Sequence, residues 1–133
     1  SLYLNHNKFT GTIPITLSRT RLRYLILSHN QFSGRIPYDL RLGRLWYLDL
    51  GYNQLNGPLP TDWGDNMVGL RHLWLDHNQL TGTIPSNFPS LGRGRMRQMY
   101  LNNNLFNGVF PNNGWNVDIF FSNINLSYNN FDR

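Results

Sequence analysis

The chain has 133 residues, no cysteine and a formal net charge of +5, and eleven of its twelve basic residues are arginines. The lack of cysteine excludes disulfide-paired caps, and no apolar run approaches the roughly 20 residues that a membrane-spanning helix needs. The charge favours acidic partners in general, without choosing among nucleic acid, anionic glycan and anionic lipid headgroups.

An eight-residue motif that begins with asparagine recurs along the whole chain. Its copies are NKFTGTIP at Asn7, NQFSGRIP at Asn30, NQLNGPLP at Asn53, NQLTGTIP at Asn78 and NLFNGVFP at Asn104, with a shortened form at Asn129. Spacings of 23, 23, 25, 26 and 25 residues between the asparagines are typical of a solenoid in which each repeat forms one coil. We therefore predict one solenoid over residues 1–133, with about six coils.

Each coil is predicted to begin with a short β-strand upstream of its asparagine. Apolar residues alternate there with variable ones, which is the pattern of a half-buried strand. The apolar positions in chain order are Leu2 and Leu4; Leu22, Leu25 and Leu27; Leu45, Leu48 and Leu50; Leu70, Leu73 and Leu75; Met96, Met99 and Leu101; Phe121, Ile124 and Leu126. Since the first and last coils are incomplete and uncapped, we expect a section of a longer array or a piece sealed by a partner.

The second half of each coil is predicted to turn onto the outer face. Each asparagine side chain should bond backbone groups of the turn, coil upon coil. An apolar residue follows two places later, then a glycine suited to a backbone turn, then a proline that ends strand pairing. The outer segments are too short for stable isolated helices, so we expect one helical or 3₁₀ turn in each. The longest outer segments are 61–69, 86–95 and 112–120.

The pattern LxxLxLxxNxLxGxIP, clearest from Leu22 to Pro37 and from Leu70 to Pro85, resembles the plant-type leucine-rich repeat. This resemblance implies an α/β-type solenoid: a curved stack with a parallel β-sheet on the concave face, short second strands, and 3₁₀ or helical turns outside. It also implies a module without catalytic activity that binds a protein, peptide or glycan on its concave face. An extracellular or cell-surface location follows from the resemblance, with an organelle lumen or a larger complex as alternatives.

The variable strand positions should form columns across the concave face. The candidate ligand-binding residues there are Tyr3, Tyr24, Tyr47, Asp49, Tyr52, His72, Trp74, Asp76, His77 and Tyr100. Exposed aromatic side chains with a polar tip are enriched in binding hot spots. A plainer interpretation is that aromatic residues suit strands and only stack on one another. We favour binding, because a large exposed apolar patch is unusual without a partner.

All four histidines should lie on this same face. His6 and His29 could be neighbours, yet no third ligand is evident, so we expect neither a metal site nor a cofactor. A pH-sensitive contact is one alternative to ordinary hydrogen bonding by these side chains. Asp49, Asp76 and His77 could perform acid–base chemistry, but an open sheet lacks the pocket that catalysis needs. We therefore expect that the chain is not an enzyme.

Arginines at recurring positions predict a basic flank where the outer face returns to the sheet. Its residues are Arg21, Arg23, Arg44, Arg71, Arg95 and Arg97. A solvated face is the simple interpretation, and an anionic partner is the alternative. Because these charges should lie apart from the aromatic residues, no nucleic acid is expected as a partner. One sequon, at Asn125, offers an N-glycosylation site.

Three functions are compatible with the sequence. The leading hypothesis is a recognition module, and the second is a structural subunit of a larger assembly, held through its open ends and basic flank. A third is ice or mineral-surface binding, which regular rows of one small polar residue would favour. The columns predicted here are chemically too mixed for that third function.

Overall fold

The computed structural model describes residues 1–40, 42–111 and 122–132, and its strands form two parallel six-stranded sheets. The concave sheet contains β1 (Leu2–Tyr3), β3 (Tyr24–Ile26), β5 (Tyr47–Asp49), β7 (His72–Trp74), β9 (Gln98–Tyr100) and β11 (Asn123–Asn125). The second sheet contains β2 (Thr10–Gly11), β4 (Gln31–Arg35), β6 (Gln54–Gly57), β8 (Gln79–Gly82), β10 (Leu105–Gly108) and β12 (Asn130–Phe131). The predicted solenoid with a second row of short strands is confirmed.

A single apolar core runs through the coils between the two sheets. Leu48, Leu73 and Met99 are aligned in register on neighbouring strands and are fully buried. The period of two along each strand sends these side chains inward and the variable residues outward. Phe9 in the first coil is more exposed than its equivalents, at 44%. Phe121, which we placed in the sixth trio, lies outside the described residues.

Asn78 shows what the motif asparagine does. Its Nδ2 donates to the Leu50 carbonyl of the preceding coil at 2.9 Å and to the Leu75 carbonyl of its own coil at 3.1 Å. Its Oδ1 accepts the Leu55 N–H at 3.0 Å. The same bonding recurs at Asn30, Asn53, Asn104 and Asn129. The amide bridges successive coils and satisfies backbone groups that the turn leaves unpaired, so its predicted structural role is confirmed.

The outer segments contain short helical turns, as expected. A 3₁₀ helix covers Ile15–Arg19, α1 is a single turn over Trp63–Asn66, and 3₁₀ turns within Phe88–Gly94 are interrupted at residues 91–93. The Trp63 and Phe88 rings of adjacent coils stack with centroids 6.5 Å apart and are fully buried. Packing between coils therefore orders segments that are too short to be helical alone. Residues 112–120 lie outside the described residues.

One residue in the turn after each concave strand has a left-handed backbone, which the sequence pattern did not predict. The φ angles lie between 52° and 56° at His6, His29, Tyr52, His77, Asn103 and Tyr128. A non-glycine residue there costs roughly 1–3 kcal/mol, which interactions with its surroundings must offset. Paired backbone bonds to the next coil do so, for example Tyr52 N–H to the Asp76 carbonyl at 2.9 Å and Asn53 N–H to the His77 carbonyl at 3.2 Å.

Candidate functional site

The concave sheet aligns the two predicted columns of side chains. Backbone pairing places Tyr47 between Tyr24 and His72, and places Trp74 between Asp49 and Tyr100. The first column continues through Gln98 to Asn123, and the second through Tyr100 to Asn125. The register predicted from the repeat is therefore confirmed.

Five half-buried rings form the centre of this surface, here called the aromatic face. They are Tyr24, Tyr47, His72, Trp74 and Tyr100. The Tyr47 ring centroid lies 5.1 Å from that of His72 and 5.5 Å from that of Trp74, and Trp74 meets Tyr100 edge-on at 5.2 Å. The rings therefore contact one another, as the plainer interpretation predicts, at tilted or edge-on angles, and they keep part of their surface open to solvent. Tyr3 extends the face, with 56% of its surface exposed.

The left-handed turn residues place a second set of rings beside the aromatic face. His6, His29, Tyr52 and His77 stack in a continuous row, here called the ring ladder, with centroids 4.0–4.2 Å apart and planes within 12° of parallel. Because His29 and Tyr52 have a ring on each side, only their edges remain for other contacts. The predicted neighbours His6 and His29 are therefore found together, as stacked rings.

The two acidic candidates are turned inward. Asp49 is only 6% exposed; its Oδ2 accepts the Ser28 hydroxyl at 2.7 Å and its Oδ1 accepts the Gly51 N–H at 3.0 Å. The Asp76 carboxylate lies 2.9 Å from His77 Nδ1, and its side chain is 14% exposed. This burial contradicts our expectation that Asp49 faces solvent as a ligand contact. Both carboxylates instead brace the turn that follows their strand.

Tyr47 belongs to the aromatic face and is also influenced by the charges of Asp49 and Asp76. Burial, with smaller contributions from Asp49, Tyr100 and Asp76, raises the pKa of Tyr47 to about 12. Each of these influences disfavours a negative phenolate. At neutral pH the side chain is therefore an uncharged hydroxyl that can donate a hydrogen bond.

The arginines are not separated from the aromatic residues. Backbone hydrogen bonds connect Arg23, Trp46, Arg71 and Arg97 across the sheet, at the position just before the first column. We call these four residues the edge column. Arg23 lies over the Trp46 ring, 4.9 Å from its centroid. The expected separation of charge and aromatic surface is therefore wrong along this edge. Trp46 was not among the residues predicted from the sequence, although its register is that of Arg23 and Arg71.

A groove opens between the edge column and the aromatic face. This edge groove has a volume of about 330 Å³ and is lined by Tyr24, Trp46, Tyr47, Arg71, His72 and Arg97. Arg71 Nη1 donates to the carbonyls of Gly69, Leu70 and Gly92 at 3.0, 3.2 and 3.4 Å. Desolvation, followed by the nearby charges of Arg95 and Arg97, lowers the pKa of Arg71. The groove is thus a cationic site with aromatic walls.

The remaining candidates lie around this site. Arg21 and Arg44 line a second groove of about 270 Å³ on the other side of Trp46, and Arg95 is exposed nearby. Asn125 lies on β11, where its Oδ1 accepts the Ser127 N–H at 3.1 Å and the Ser127 hydroxyl at 2.8 Å. Glycosylation of Asn125 stays a prediction.

Among residues 1–40, 42–111 and 122–132, no three histidine or aspartate side chains are grouped so that they could hold a metal ion. No helix within those same ranges has the length and apolar character to cross a membrane.

Comparisons with known proteins agree with the repeat pattern. The family model described as Leucine Rich Repeat matches residues 1–19, 21–42, 44–66 and 69–91. Comparison with curated protein sequences gave no match.

Similar solved structures include plant receptors and a plant ice-binding protein. A TDR receptor is 29% identical with a TM-score of 0.90, and the Arabidopsis receptor kinase HAESA, solved with a peptide hormone and a co-receptor, is 34% identical with a TM-score of 0.87. The similarity covers 98% of this chain but only 22% of each receptor chain. A plant ice-binding protein is 29% identical with a TM-score of 0.86, covering 98% of this chain and 41% of that one.

Proposed function

This chain belongs to the leucine-rich repeat family, and on that premise we propose that it is a non-catalytic recognition module that binds a peptide or protein segment across its concave sheet. The observation that carries the proposal is the aromatic face, where Tyr47, Trp74 and Tyr100 meet at centroid distances of 5.2–5.5 Å while remaining partly exposed. Rigid aromatic side chains provide a large contact area at low cost in conformational entropy, which is why they dominate binding hot spots.

A peptide suits this surface better than a compact partner. The columns run along the solenoid, so an extended chain can lie across several coils and meet a ring in each. Polar groups within this surface, including the Tyr47 hydroxyl and the His72 and Gln98 side chains, can bond its backbone. Similar receptors, such as HAESA, have been solved with a peptide hormone, which supports this class of partner. A glycan is the alternative ligand, and an extracellular or cell-surface location accompanies the proposal.

Selection of peptides from a displayed library against the wild-type protein would test the proposal. Trp74→Ala and Tyr100→Ala should each weaken binding of the selected peptides by tenfold or more, because each removes a hot-spot ring worth roughly 2 kcal/mol. The matched control is Tyr38→Ala, since Tyr38 is 82% exposed on an outer segment and should leave affinity unchanged. Thermal unfolding of each variant separates lost contact from lost fold.

One outcome would contradict the concave-face proposal directly. If Trp74→Ala and Tyr100→Ala bound the selected peptides as well as the wild type, while Tyr38→Ala weakened them, the ligand would lie on the outer surface. Selection of no binding peptide, with retained binding to a glycan array, would favour the alternative ligand class.

The similarity to an ice-binding protein does not favour that function here. A protein that binds a regular lattice such as ice would match it with rows of one small polar residue. The second column of the concave sheet instead contains Ile26, Asp49, Trp74 and Tyr100 in succession, which is a chemically mixed series.

A further inference from the structure

The edge groove differs in charge from the rest of the concave surface. Two arginines, Arg71 and Arg97, lie on one side, and the aromatic rings of Tyr24, Tyr47 and His72 lie on the other. Among the described residues, no carboxylate pairs with Arg71 or Arg97. Gathering like charges without a counterion is unfavourable, so an anion in the groove would relieve the repulsion.

Arg71 is held in place before any ligand arrives. Its Nη1 is bonded to three backbone carbonyls, while Nη2 and Nε have no acceptor among the described residues. A guanidinium fixed in this way loses little freedom when it binds an oxyanion through its remaining N–H groups. Gly92 makes this arrangement feasible, because a Cβ there would collide with the Leu70 carbonyl oxygen. Arg97 adds an exposed second charge beside it.

We infer that the edge groove binds acidic side chains of the peptide that lies on the concave face. This inference rests on the proposed function and deepens it, by naming the chemistry of one part of the ligand. A volume of about 330 Å³ is at the lower end of the range for ligand pockets, roughly 300–1,000 Å³. It exceeds what a single carboxylate needs. Carboxylates would bond Arg71 and Arg97, while apolar parts of the same segment would lie against Tyr24, Tyr47 and Trp46.

A linear polyanion is less well suited than an acidic peptide. The groove itself offers two arginines, and Arg21, Arg23 and Arg44 line the second groove beyond Trp46, so the aromatic walls decide between the two. Single-stranded nucleic acid stacks its bases on open aromatic faces. The walls here are only partly open, because Tyr47 is packed between Tyr24 and His72, which favours a short acidic segment.

The test uses two short fluorescent peptides, one alternating glutamate with tyrosine and one alternating glutamine with tyrosine. The wild type should bind the glutamate peptide more tightly, and added salt should reduce that preference. Arg97→Gln should weaken binding of the glutamate peptide about tenfold, the loss expected for one charged hydrogen bond. It should leave binding of the glutamine peptide nearly unchanged. Arg35→Gln is the matched control, because it removes an exposed arginine from β4 in the second sheet.

Arg71→Gln provides a second test at the centre of the groove. Since Arg71 also bonds three carbonyls, its variant is first checked by thermal unfolding. If it unfolds early, Arg97→Gln alone decides the result. Equal affinity of the wild type for both peptides, no detectable binding of the glutamate peptide, or an equal loss in Arg35→Gln would each overturn the inference.

Other variants separate this inference from the proposed function. If Trp74→Ala weakens both peptides and Arg97→Gln weakens neither, the concave face binds peptides but the acidic assignment is wrong. If only Arg97→Gln has an effect, the groove acts without the aromatic face and the proposed function fails. Tighter binding of a heparin fragment or of single-stranded DNA, lost in Arg97→Gln, would assign the groove to polyanions and overturn the acidic-peptide inference.

Discussion

The carboxylate of Asp49 lies beneath the concave surface, between Ser28 of the preceding coil and Gly51 of its own turn. Burial raises the pKa of Asp49 above its usual value of 3.8; hydrogen bonds from Ser28 and Gly51 oppose this effect, and the charge of Asp76 adds to it. The folded state therefore holds this proton more tightly than the unfolded chain does. The resulting contribution to stability is complete below pH 3.8 and is lost as the pH rises through the folded-state pKa.

Asp49→Asn should consequently raise the melting temperature at neutral pH. The amide has the same shape, can accept the Gly51 N–H through Oδ1 and can donate to the Ser28 hydroxyl through Nδ2, without burying a charge. The gain should shrink as the pH falls through the folded-state pKa of Asp49, which lies above 3.8, and should vanish below pH 3.8, where the aspartate is protonated in both states. Melting curves across pH check this dependence.

Asp49→Ala is the contrasting variant at the same position. It leaves the Ser28 hydroxyl and the Gly51 N–H without their partner, and should lower the free energy of unfolding by roughly 1–3 kcal/mol. A lower melting temperature for Asp49→Asn at neutral pH would show that the buried charge stabilises the turn.

Individual residues also show where sequence analysis stops. The period of two placed Tyr47 and Trp74 on the concave face correctly. It placed Asp49 there as well, because a pattern of alternation contains no information about the Ser28 hydroxyl in the preceding coil. Trp46 could be predicted from the sequence, since the register that aligns Arg23 with Arg71 also includes it. Its aromatic side chain interrupts the series of arginines at this position, so a pattern of charge alone does not include it.

At the scale of the element, the asparagine ladder decides how one coil is joined to the next. Each interior asparagine connects its own turn with the preceding coil, as Asn78 does through Leu50 and Leu75. The motif made these hydrogen bonds predictable, because an asparagine at the same position of every coil indicates that it bonds the same backbone groups in every coil. The left-handed turn beside it was not predictable, since its residues are histidine, tyrosine and asparagine rather than glycine.

Asn78→Ala should lower the free energy of unfolding by roughly 1–3 kcal/mol, because it leaves the Leu55 N–H without its acceptor. It also removes one of two asparagine donors from each of the Leu50 and Leu75 carbonyls, which keep Asn53 and Asn104. Asn7→Ala provides the matched control. Asn7 is exposed and bonds only the Leu4 and Asn5 carbonyls, at 3.1 Å each, so water can replace it at a cost below about 1 kcal/mol. Urea unfolding measures both. If both variants lost the same free energy of unfolding, the hydrogen bonds of Asn78 to neighbouring coils would not be what stabilises this position.

At the scale of the molecule, the solenoid spreads its ligand-facing residues over successive coils. Tyr47, Trp74 and Tyr100 come from three strands, and the edge groove draws Tyr24 and Arg97 from coils further apart. The regular stacking of the coils made the fold predictable. It also determines the distance between ligand-facing residues on successive coils. The chemistry of the site was less predictable, because grooves form where side chains of different coils diverge in size and charge.

Each coil contacts mainly the coils on either side, so the position of a substitution along the stack should determine its effect. Leu73 is fully buried between Leu48 and Met99, and Leu73→Ala should cost roughly 2–5 kcal/mol. Leu2 is aligned with Leu25 on one side only and is partly buried, so Leu2→Ala should cost less than about 2 kcal/mol.

Hydrogen exchange measures how far the effect of each substitution spreads along the stack. Leu73→Ala should accelerate exchange in strands on both sides of β7, and Leu2→Ala only in β1 and β3. If Leu2→Ala accelerated exchange equally through β9, the coils would unfold as one unit, and the nearest-neighbour description of this solenoid would be wrong.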